Sequence, residues 1–202
     1  MIKYKKSMLK LNCKLSVLLI ATLMFAVNSF AQKVTYSDSW GKSGISLKNE
    51  NSSGVIVNFS INEFTFTDRN VDGESMKAVH LPGHFLPNNE GAPDLPGSGR
   101  YIAVPQGAKA KLKVIASRTE KYSNVNIAPA PRIPKDNENG PLIYKKDRKI
   151  YTLDKFYPSE PVLMSPPTKI RGVDVVMLGV TPFQYNPVTK ELIIYRDIEI
   201  EV

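Results

Sequence analysis

Two basic residues on a proline-rich segment, Arg132 and Lys135, are the side chains of this sequence best placed to bind something. They lie in residues 128–141, APAPRIPKDNENGP, which contain four prolines, no hydrophobic periodicity and a polar DNENG run. Such a segment is typical of an exposed loop, in which prolines limit the backbone freedom that docking would otherwise remove. Arg132 and Lys135 are therefore candidates for a loop that presents positive charge to a binding site. A solvated connector without a binding role is the alternative.

Two histidines are spaced as metal ligands on a helix would be, yet the residues between them prevent that arrangement. His80 and His84 stand four residues apart, with Pro82-Gly83 between them. Because proline removes a backbone donor and the Pro-Gly pair favours a turn, the two imidazoles would not share a helical face. No third ligand is evident nearby in the sequence. We therefore expect no metal site and no other cofactor.

A nucleophile for catalysis is equally hard to find. Ser98, Ser117 and Ser123 lack the sharp strand-to-helix turn of a nucleophile elbow. Asp94 follows a proline in a tight turn, where a carboxylate more often caps its own turn than acts as an acid or a base. The single cysteine, Cys13, lies in the N-terminal segment. The sequence therefore predicts a protein that is not an enzyme.

The N-terminal segment has the three parts of a secretory signal peptide. It opens with five lysines, continues with an apolar run from Leu15 to Val27, and ends in the small-residue site Ser29-Phe30-Ala31. The apolar run is shorter than the roughly 20 residues that cross a bilayer, so we expect no stable membrane span. A retained membrane anchor is the alternative.

Cleavage is predicted between Ala31 and Gln32. Residues 1–31 would then be the signal peptide, and residues 32–202 would form one domain of ordinary size. The processed chain is expected to be secreted, or to remain in the periplasm or at the cell surface.

Removal of the signal peptide would also remove most of the excess positive charge. The chain has 27 basic and 19 acidic residues, and five of the lysines but none of the acids lie in residues 1–31. The remainder has 22 basic and 19 acidic residues, a formal net charge of +3. So small an excess, without a motif of basic and aromatic residues, argues against a nucleic-acid partner. Cys13 leaves with the same segment, so the processed chain would lack a thiol nucleophile and any disulfide.

The elements that would position the loop at residues 128–141 are short strands. Apolar and polar residues alternate over 55–61 and again over 108–116, where lysines occupy the second face. Alternation of period two is typical of strands with one buried face. Residues 68–73 have the composition of a turn, and Asn186-Pro187 predicts a C-terminal hairpin. No helical periodicity extends beyond about three turns, so the sequence predicts an all-β, antiparallel sandwich.

Several motifs together resemble the N-terminal propeptide of gingipain-type cysteine proteases. The resemblance covers most of residues 80–202. The motifs that carry it are NEGAPDLP at 89–96, RYIAVPQGA at 100–108, IAP at 127–129, KFYP at 155–158 and PFQYNPVTKEL at 182–192.

The resemblance implies a β-sandwich with jelly-roll character that precedes a caspase-like catalytic domain, assists its folding and keeps it latent. It also implies that, in arginine-specific members, a basic residue on a propeptide loop lies in the substrate-binding cleft. Residues 128–141 correspond to that loop, so Arg132 and Lys135 become candidates for the inhibitory contact. The catalytic cysteine and histidine of the family have no counterpart in this sequence.

The leading hypothesis is therefore a secreted, non-catalytic propeptide domain that binds a cysteine protease catalytic domain, in cis or in trans. A second hypothesis is a surface β-sandwich that binds glycans or proteins through exposed aromatic rings. Packing of these rings in the core is the alternative for each of them: Trp40, Tyr101, Tyr144 and Tyr151. A third hypothesis is the truncated remnant of a cysteine protease precursor.

Overall fold

A computed structural model describes residues 31–85 and 88–202, and over these residues the chain forms twelve strands and one short helix. In chain order they are β1 (Gln32–Thr35), β2 (Gly44–Asn51), β3 (Gly54–Ser60), β4 (Glu63–Val71), β5 (Glu74–His80), β6 (Ser98–Ala103), β7 (Lys113–Tyr122), α1 (Arg148–Tyr151), β8 (Val162–Met164), β9 (Thr168–Ile170), β10 (Val173–Val180), β11 (Phe183–Asn186) and β12 (Glu191–Glu201).

β12 is the strand around which the largest sheet is arranged. One of its edges pairs first with β11 and then with β3, while β7 pairs along the other edge. A register shift between Tyr195 and Asp197 places a bulge at Arg196, where the partner changes from β11 to β3. The two smaller sheets have the orders β1-β4-β5 and β6-β10-β8, with β9 also paired to β10.

Side chains from all three sheets meet in one apolar core. Phe59 on β3, Phe64 on β4, Leu178 on β10 and Phe183 on β11 are fully buried in it. The rings of Phe64 and Phe183 meet edge to face, with their centroids 5.7 Å apart. Every pairing between strands is antiparallel in the described residues. The predicted all-β, antiparallel class is therefore confirmed.

A group of charged residues, here called the bulge cluster, joins the segment between β1 and β2 to β7 and β12. Its members are Asp38, Arg118, Glu120, Arg196 and Asp197. Asp197 is fully buried, and its Oδ1 accepts hydrogen bonds from Ser60 Oγ at 2.7 Å and from the Trp40 backbone N–H at 2.8 Å. Its Oδ2 accepts from Arg118 Nε at 2.8 Å. Each lone pair that burial takes from water is thus matched by a donor, as a buried carboxylate requires.

The alternating residues 108–116 form a strand only from Lys113 onward, so this prediction was wrong in its first half and in the facing of its last part. β7 pairs with β12, and a register shift opposite Glu199 and Ile200 leaves Ile115 as an extra residue. The extra residue places Val114 and Ala116, predicted to share the buried face, on opposite faces, with Val114 opposite Ile200 and Ala116 opposite Glu199. Val114 lies on an edge strand and is 44% exposed.

The turn predicted over 68–73 is shorter than expected. β4 continues to Val71, and only Asp72 and Gly73 turn, with φ values of 51° and 83°. Two consecutive positive φ values suit a two-residue hairpin between strands of right-handed twist. The C-terminal hairpin is confirmed, since Asn186 Oδ1 accepts the Val188 backbone N–H at 3.0 Å and fixes the turn before β12.

The predicted signal peptide lies outside the described residues, apart from Ala31, and cleavage before Gln32 stays a prediction. Residues 31–202 form one compact unit, and β1 begins at Gln32. Within the described ranges, the structure has no helix of the length and apolar character that a membrane crossing would need.

Candidate functional site

An extended, largely buried segment at residues 126–130 leads into the loop that contains Arg132 and Lys135. The backbone of Lys77 on β5 donates to the Asn126 carbonyl at 2.6 Å and accepts from the Ala128 N–H at 2.8 Å. Ile127 and Ala128 are fully buried, and Pro129 and Ala130 are also buried. The exposed loop predicted over 128–141 was therefore wrong in its first three residues. The structure places its exposed part, here called the basic loop, at residues 131–143.

The turn at residues 91–94 lies on the other side of this segment. Ala92 accepts from the Ala130 N–H at 2.7 Å, and the Asp94 N–H donates to Ala128 at 2.9 Å. Pro93 and Pro129 form an antiparallel bridge between these two bonds. The proline-rich turn thus acts as a short irregular strand, because its remaining donors and acceptors fit those of its neighbour.

Gly91 joins the two limbs of the basic loop at their base. Its N–H donates to the Ala130 carbonyl at 3.0 Å, and its carbonyl accepts from the Asp147 N–H at 2.9 Å. Gly91 has a φ of 77°, and a Cβ added to it would lie 2.9 Å from both the Asp147 nitrogen and the Lys145 oxygen. Glycine is required here both for the left-handed backbone and for the close approach of the second limb. We call this contact the Gly91 clasp.

The Asp94 side chain contacts Asn88 and Arg69 beside the turn. Its carboxylate accepts from Asn88 Nδ2 at 3.0 Å and lies 3.9 Å from Arg69 Nη1. Burial raises the pKa of Asp94, while the hydrogen bond from Asn88 acts in the opposite direction. The carboxylate therefore holds Asn88 against the turn, and its hydrogen-bond donor is this side chain rather than a backbone N–H of the turn itself.

Glu138 organises the far end of the basic loop. The Arg132 guanidinium donates to Glu138 Oε2 at 2.7 Å, and the Lys135 N–H donates to the same oxygen at 3.2 Å. The Glu138 N–H donates in turn to the Lys135 carbonyl at 2.9 Å, which closes a tight turn over residues 135–138. The hydrogen bond from Arg132 lowers the pKa of Glu138. Sequence reasoning did not identify this pair.

The loop brings the two predicted basic residues together but leaves them in different states. Arg132 is neutralised by Glu138, whereas the Lys135 side chain has no ion pair within the described part of the chain. Arg132 also binds the opposite limb, because its N–H donates to the Ile143 carbonyl at 3.2 Å. Lys135 is consequently the basic side chain that the loop presents.

Apolar side chains, which the sequence analysis did not select, surround these charges. Ile133, Leu142 and Ile143 are 68%, 47% and 62% exposed. Leu142 and Ile143 line a cavity of about 350 Å³ between the limbs of the loop, next to Arg132 and Glu138. Exposed β-branched and aliphatic residues that cluster in an otherwise polar loop are typical of a binding surface. Ile133 between two prolines and the Leu142-Ile143 pair after Pro141 were the available signal.

The two histidines are far from equivalent. His80 is exposed, whereas His84 Nδ1 lies 2.6 Å from Ser98 Oγ, and its Nε2 lies 3.3 Å from Ser43 Oγ. Burial lowers the pKa of His84. Its ring fills the space above Gly44, where a Cβ would meet the ring at 2.3 Å. The imidazole is thus held between two serines and Gly44. No cluster of three potential metal ligands occurs in the described ranges.

The aromatic residues considered for sugar stacking differ in accessibility. Arg118 covers the ring of Trp40 at 5.2 Å, Arg69 covers that of Tyr144 at 4.2 Å, and the Tyr151 hydroxyl donates to the Ile127 carbonyl at 2.8 Å. Tyr101 is 59% exposed. Trp40 is 39% exposed, so a glycan-binding role stays a prediction that concerns Trp40 and Tyr101.

The chain matches a protein-family model described as Propeptide_C25 over residues 38–202. It is 32% identical over 150 residues to Gingipain R1 of Porphyromonas gingivalis, which is 72% of this chain and 15% of that protein. It is 28% identical over 194 residues to Lys-gingipain of the same organism, 92% of this chain and 11% of that protein. The chain thus spans less than a fifth of the length of these curated relatives.

Two solved structures share its fold. One is described as the complex of Porphyromonas gingivalis RgpB pro- and mature domains, with a TM-score of 0.73, 28% identity, and 78% of this chain and 83% of that chain covered. The other is described as structural insight into zymogenic latency of gingipain K, with a TM-score of 0.69, 23% identity, and 86% and 98% covered. The match to the family model extends over more than half of the sequence, and the chain therefore belongs to the Propeptide_C25 family.

Proposed function

We propose that this chain is a secreted, non-catalytic propeptide domain, formed by residues 32–202, that inhibits a gingipain-type cysteine protease and assists its folding. The family membership and the likeness to a pro-domain solved with its mature domain support this role. The signal-peptide pattern of residues 1–31 supports export to the periplasm, the cell surface or the medium.

The observation that carries the proposal is the way in which the base of the basic loop is fixed to the rest of the domain. Its base is buried and hydrogen-bonded on both sides, and the Gly91 clasp holds its two limbs together. Its end presents the side chain of Lys135, which has no ion pair among the described residues, next to the exposed Ile133. A loop held in this way loses little conformational entropy on docking, so most of its contact energy is available for affinity.

Inhibition in this proposal is occupation of the substrate cleft by Lys135. Arg132 instead pairs with Glu138 and keeps the loop in shape. A protease cleaves an extended chain, whereas the turn over residues 135–138 is closed by two hydrogen bonds. The loop can thus fill the cleft without offering a bond in a cleavable conformation.

The test is inhibition of the catalytic domains of Gingipain R1 and Lys-gingipain by purified residues 32–202. We expect inhibition of at least one at micromolar concentration or better, a binding free energy of about 8 kcal/mol or more. Replacement of Lys135 by Gln should raise the inhibition constant by more than tenfold, because a buried charge contact is lost. Arg132→Gln should have a smaller effect, and the exposed Lys42→Gln, on another surface, should have none.

Two outcomes would contradict the proposal. Absence of inhibition of both enzymes by a folded domain would remove the inhibitory function. Equal inhibition by the wild type, Lys135→Gln and the double variant with Arg132→Gln would leave the function but exclude the basic loop from the cleft.

A further inference from the structure

The excess positive charge of the exported part of the chain is concentrated in one short segment. Residues 131–149 contain six basic and three acidic residues. The rest of residues 32–202 contains 16 of each, so the whole formal excess of three charges lies in these 19 residues. A local excess of this kind produces a directed field, which a charge spread evenly over the surface would not produce.

Internal pairing accounts for only some of these charges. Arg132 pairs with Glu138, and Lys146 pairs with Glu74 on β5. Asp147 is the N-cap of α1 and accepts the Lys149 N–H at 2.8 Å, so its carboxylate is directed at the backbone. The nearby turn adds one further carboxylate, that of Glu90, which favours the charged form of Arg132.

Three exposed side chains have no ion pair within the described part of the chain. They are Lys145, Arg148 and Lys149, which we call the basic platform. The Asp147 N–H, between them in sequence, donates to Gly91 at 2.9 Å, and Gly91 also binds Ala130 at the other limb of the basic loop. The platform therefore lies at the base of the loop, on the same mount.

We infer that the basic platform is an electrostatic docking surface for an acidic rim beside the substrate cleft of the protease that this chain inhibits. The inference rests on the proposed function and adds a second contact region to it. The basic loop would fill the cleft, and the platform would meet carboxylates around the entrance. Unpaired lysine and arginine side chains at the edge of an apolar contact complement such a rim in sign and in position.

The two regions then control different rates. Charges at the edge of an interface stay partly hydrated, so they contribute little to the lifetime of the complex but accelerate the encounter. The inserted loop, which is removed from water, determines the rate of dissociation. Platform and loop can thus be separated by kinetics, even though both lower the inhibition constant.

The experiment compares association and dissociation rates of residues 32–202 with a catalytic domain that they inhibit, starting with those of Gingipain R1 and Lys-gingipain. The test variant carries Lys145→Gln, Arg148→Gln and Lys149→Gln. The control variant carries Lys109→Gln, Lys111→Gln and Lys113→Gln, three exposed lysines before and at the start of β7. Both variants lose three positive charges, so they differ only in where the charge was removed.

We expect the platform variant to associate about tenfold more slowly at low ionic strength, with a dissociation rate within about twofold of the wild type. The difference should shrink as salt is raised, since the Debye length falls to about 3 Å at 1 M. The control variant should associate within about twofold of the wild type at every salt concentration.

Three results would overturn the inference while leaving the proposed function intact. The first is inhibition by the wild type with an unchanged association rate in the platform variant. The second is equal slowing in the control variant, which would assign the effect to net charge. The third is platform-dependent binding to anionic phospholipid vesicles, together with association with the protease that does not depend on the platform. Failure of the wild type to inhibit either enzyme would refute the proposed function itself, and the inference with it.

Discussion

Two regions of this molecule use basic side chains in opposite ways. In the bulge cluster, Arg118 and Arg196 each contact two carboxylates, and each also covers an aromatic ring. In the basic platform, Lys145, Arg148 and Lys149 have no ion pair within the described residues. A cation whose partners lie inside the chain has its charge satisfied by folding. A cation without them keeps its field available for another molecule.

The difference between the regions comes from the backbone. The bulge at Arg196 brings residues of β12 towards the segment between β1 and β2, so Asp38 meets both arginines. The platform lies in and just before the single turn of α1, whose N-cap Asp147 is directed at the helix backbone. Carboxylates thus contact the arginines of the bulge cluster, whereas the nearby carboxylate of Asp147 does not pair with the cations of the basic platform. The predictions that follow test whether this difference separates stability from binding.

The largest effect on stability is expected from Asp197→Ala. The substitution leaves the buried hydroxyl of Ser60 and the Trp40 N–H without their acceptor, and it removes the innermost partner of Arg118. We expect the free energy of unfolding to fall by about 3 kcal/mol, measured by denaturant unfolding. Inhibition per folded molecule should be unchanged, because the cluster does not contribute to the basic loop.

Glu199→Ala is the matched control on the same strand. Glu199 pairs with Lys48 at 2.6 Å on a partly exposed surface. Such pairs contribute about 0.5 kcal/mol, so the loss should be several times smaller than for Asp197→Ala. Equal losses in the two variants would show that the bulge cluster is no more than a set of surface ion pairs.

The next effect in size concerns the Gly91 clasp, which holds both the basic loop and the basic platform. Gly91→Ala would place a Cβ 2.9 Å from two backbone atoms of the second limb, at a φ of 77°. Gly107→Ala would be introduced at a φ of 75° with no atom within 4 Å. Both variants should lose about 1 kcal/mol of stability from backbone strain, and Gly91→Ala should lose more because its limb must move.

The consequence for binding is specific to the first of these variants. Gly91→Ala should weaken inhibition by more than tenfold, since the clasp no longer fixes loop and platform relative to each other. Gly107→Ala should inhibit like the wild type. If both variants inhibit normally although Gly91→Ala is less stable, the rigidity of the base does not contribute to affinity, and preorganisation is the wrong explanation.

The sequence predicted what depends on local pattern. The strand class, the hairpin at Asn186, the position of the proline-rich segment and its two basic residues all follow from periodicity and turn composition. Burial of Ala128 and Ala130 could not be predicted in this way, because it results from pairing with Lys77 and Ala92, more than 30 residues away. The platform was also beyond reach, since an unpaired charge is defined by carboxylates that do not approach it.

The smallest effect, and the most direct test of the comparison, is expected from Glu138→Gln. This variant keeps an acceptor for the Lys135 N–H but removes the charge that neutralises Arg132, so one cation passes from the paired to the unpaired class. Stability should not change measurably, because both side chains are partly exposed. Association with the protease should become faster by a small factor that vanishes at high salt. A slower association, or an effect that persists at high salt, would show that losing the Arg132–Glu138 contact disturbs the loop more than the added charge helps the encounter. The internal pairing of a cation would then not by itself decide whether it contributes to docking.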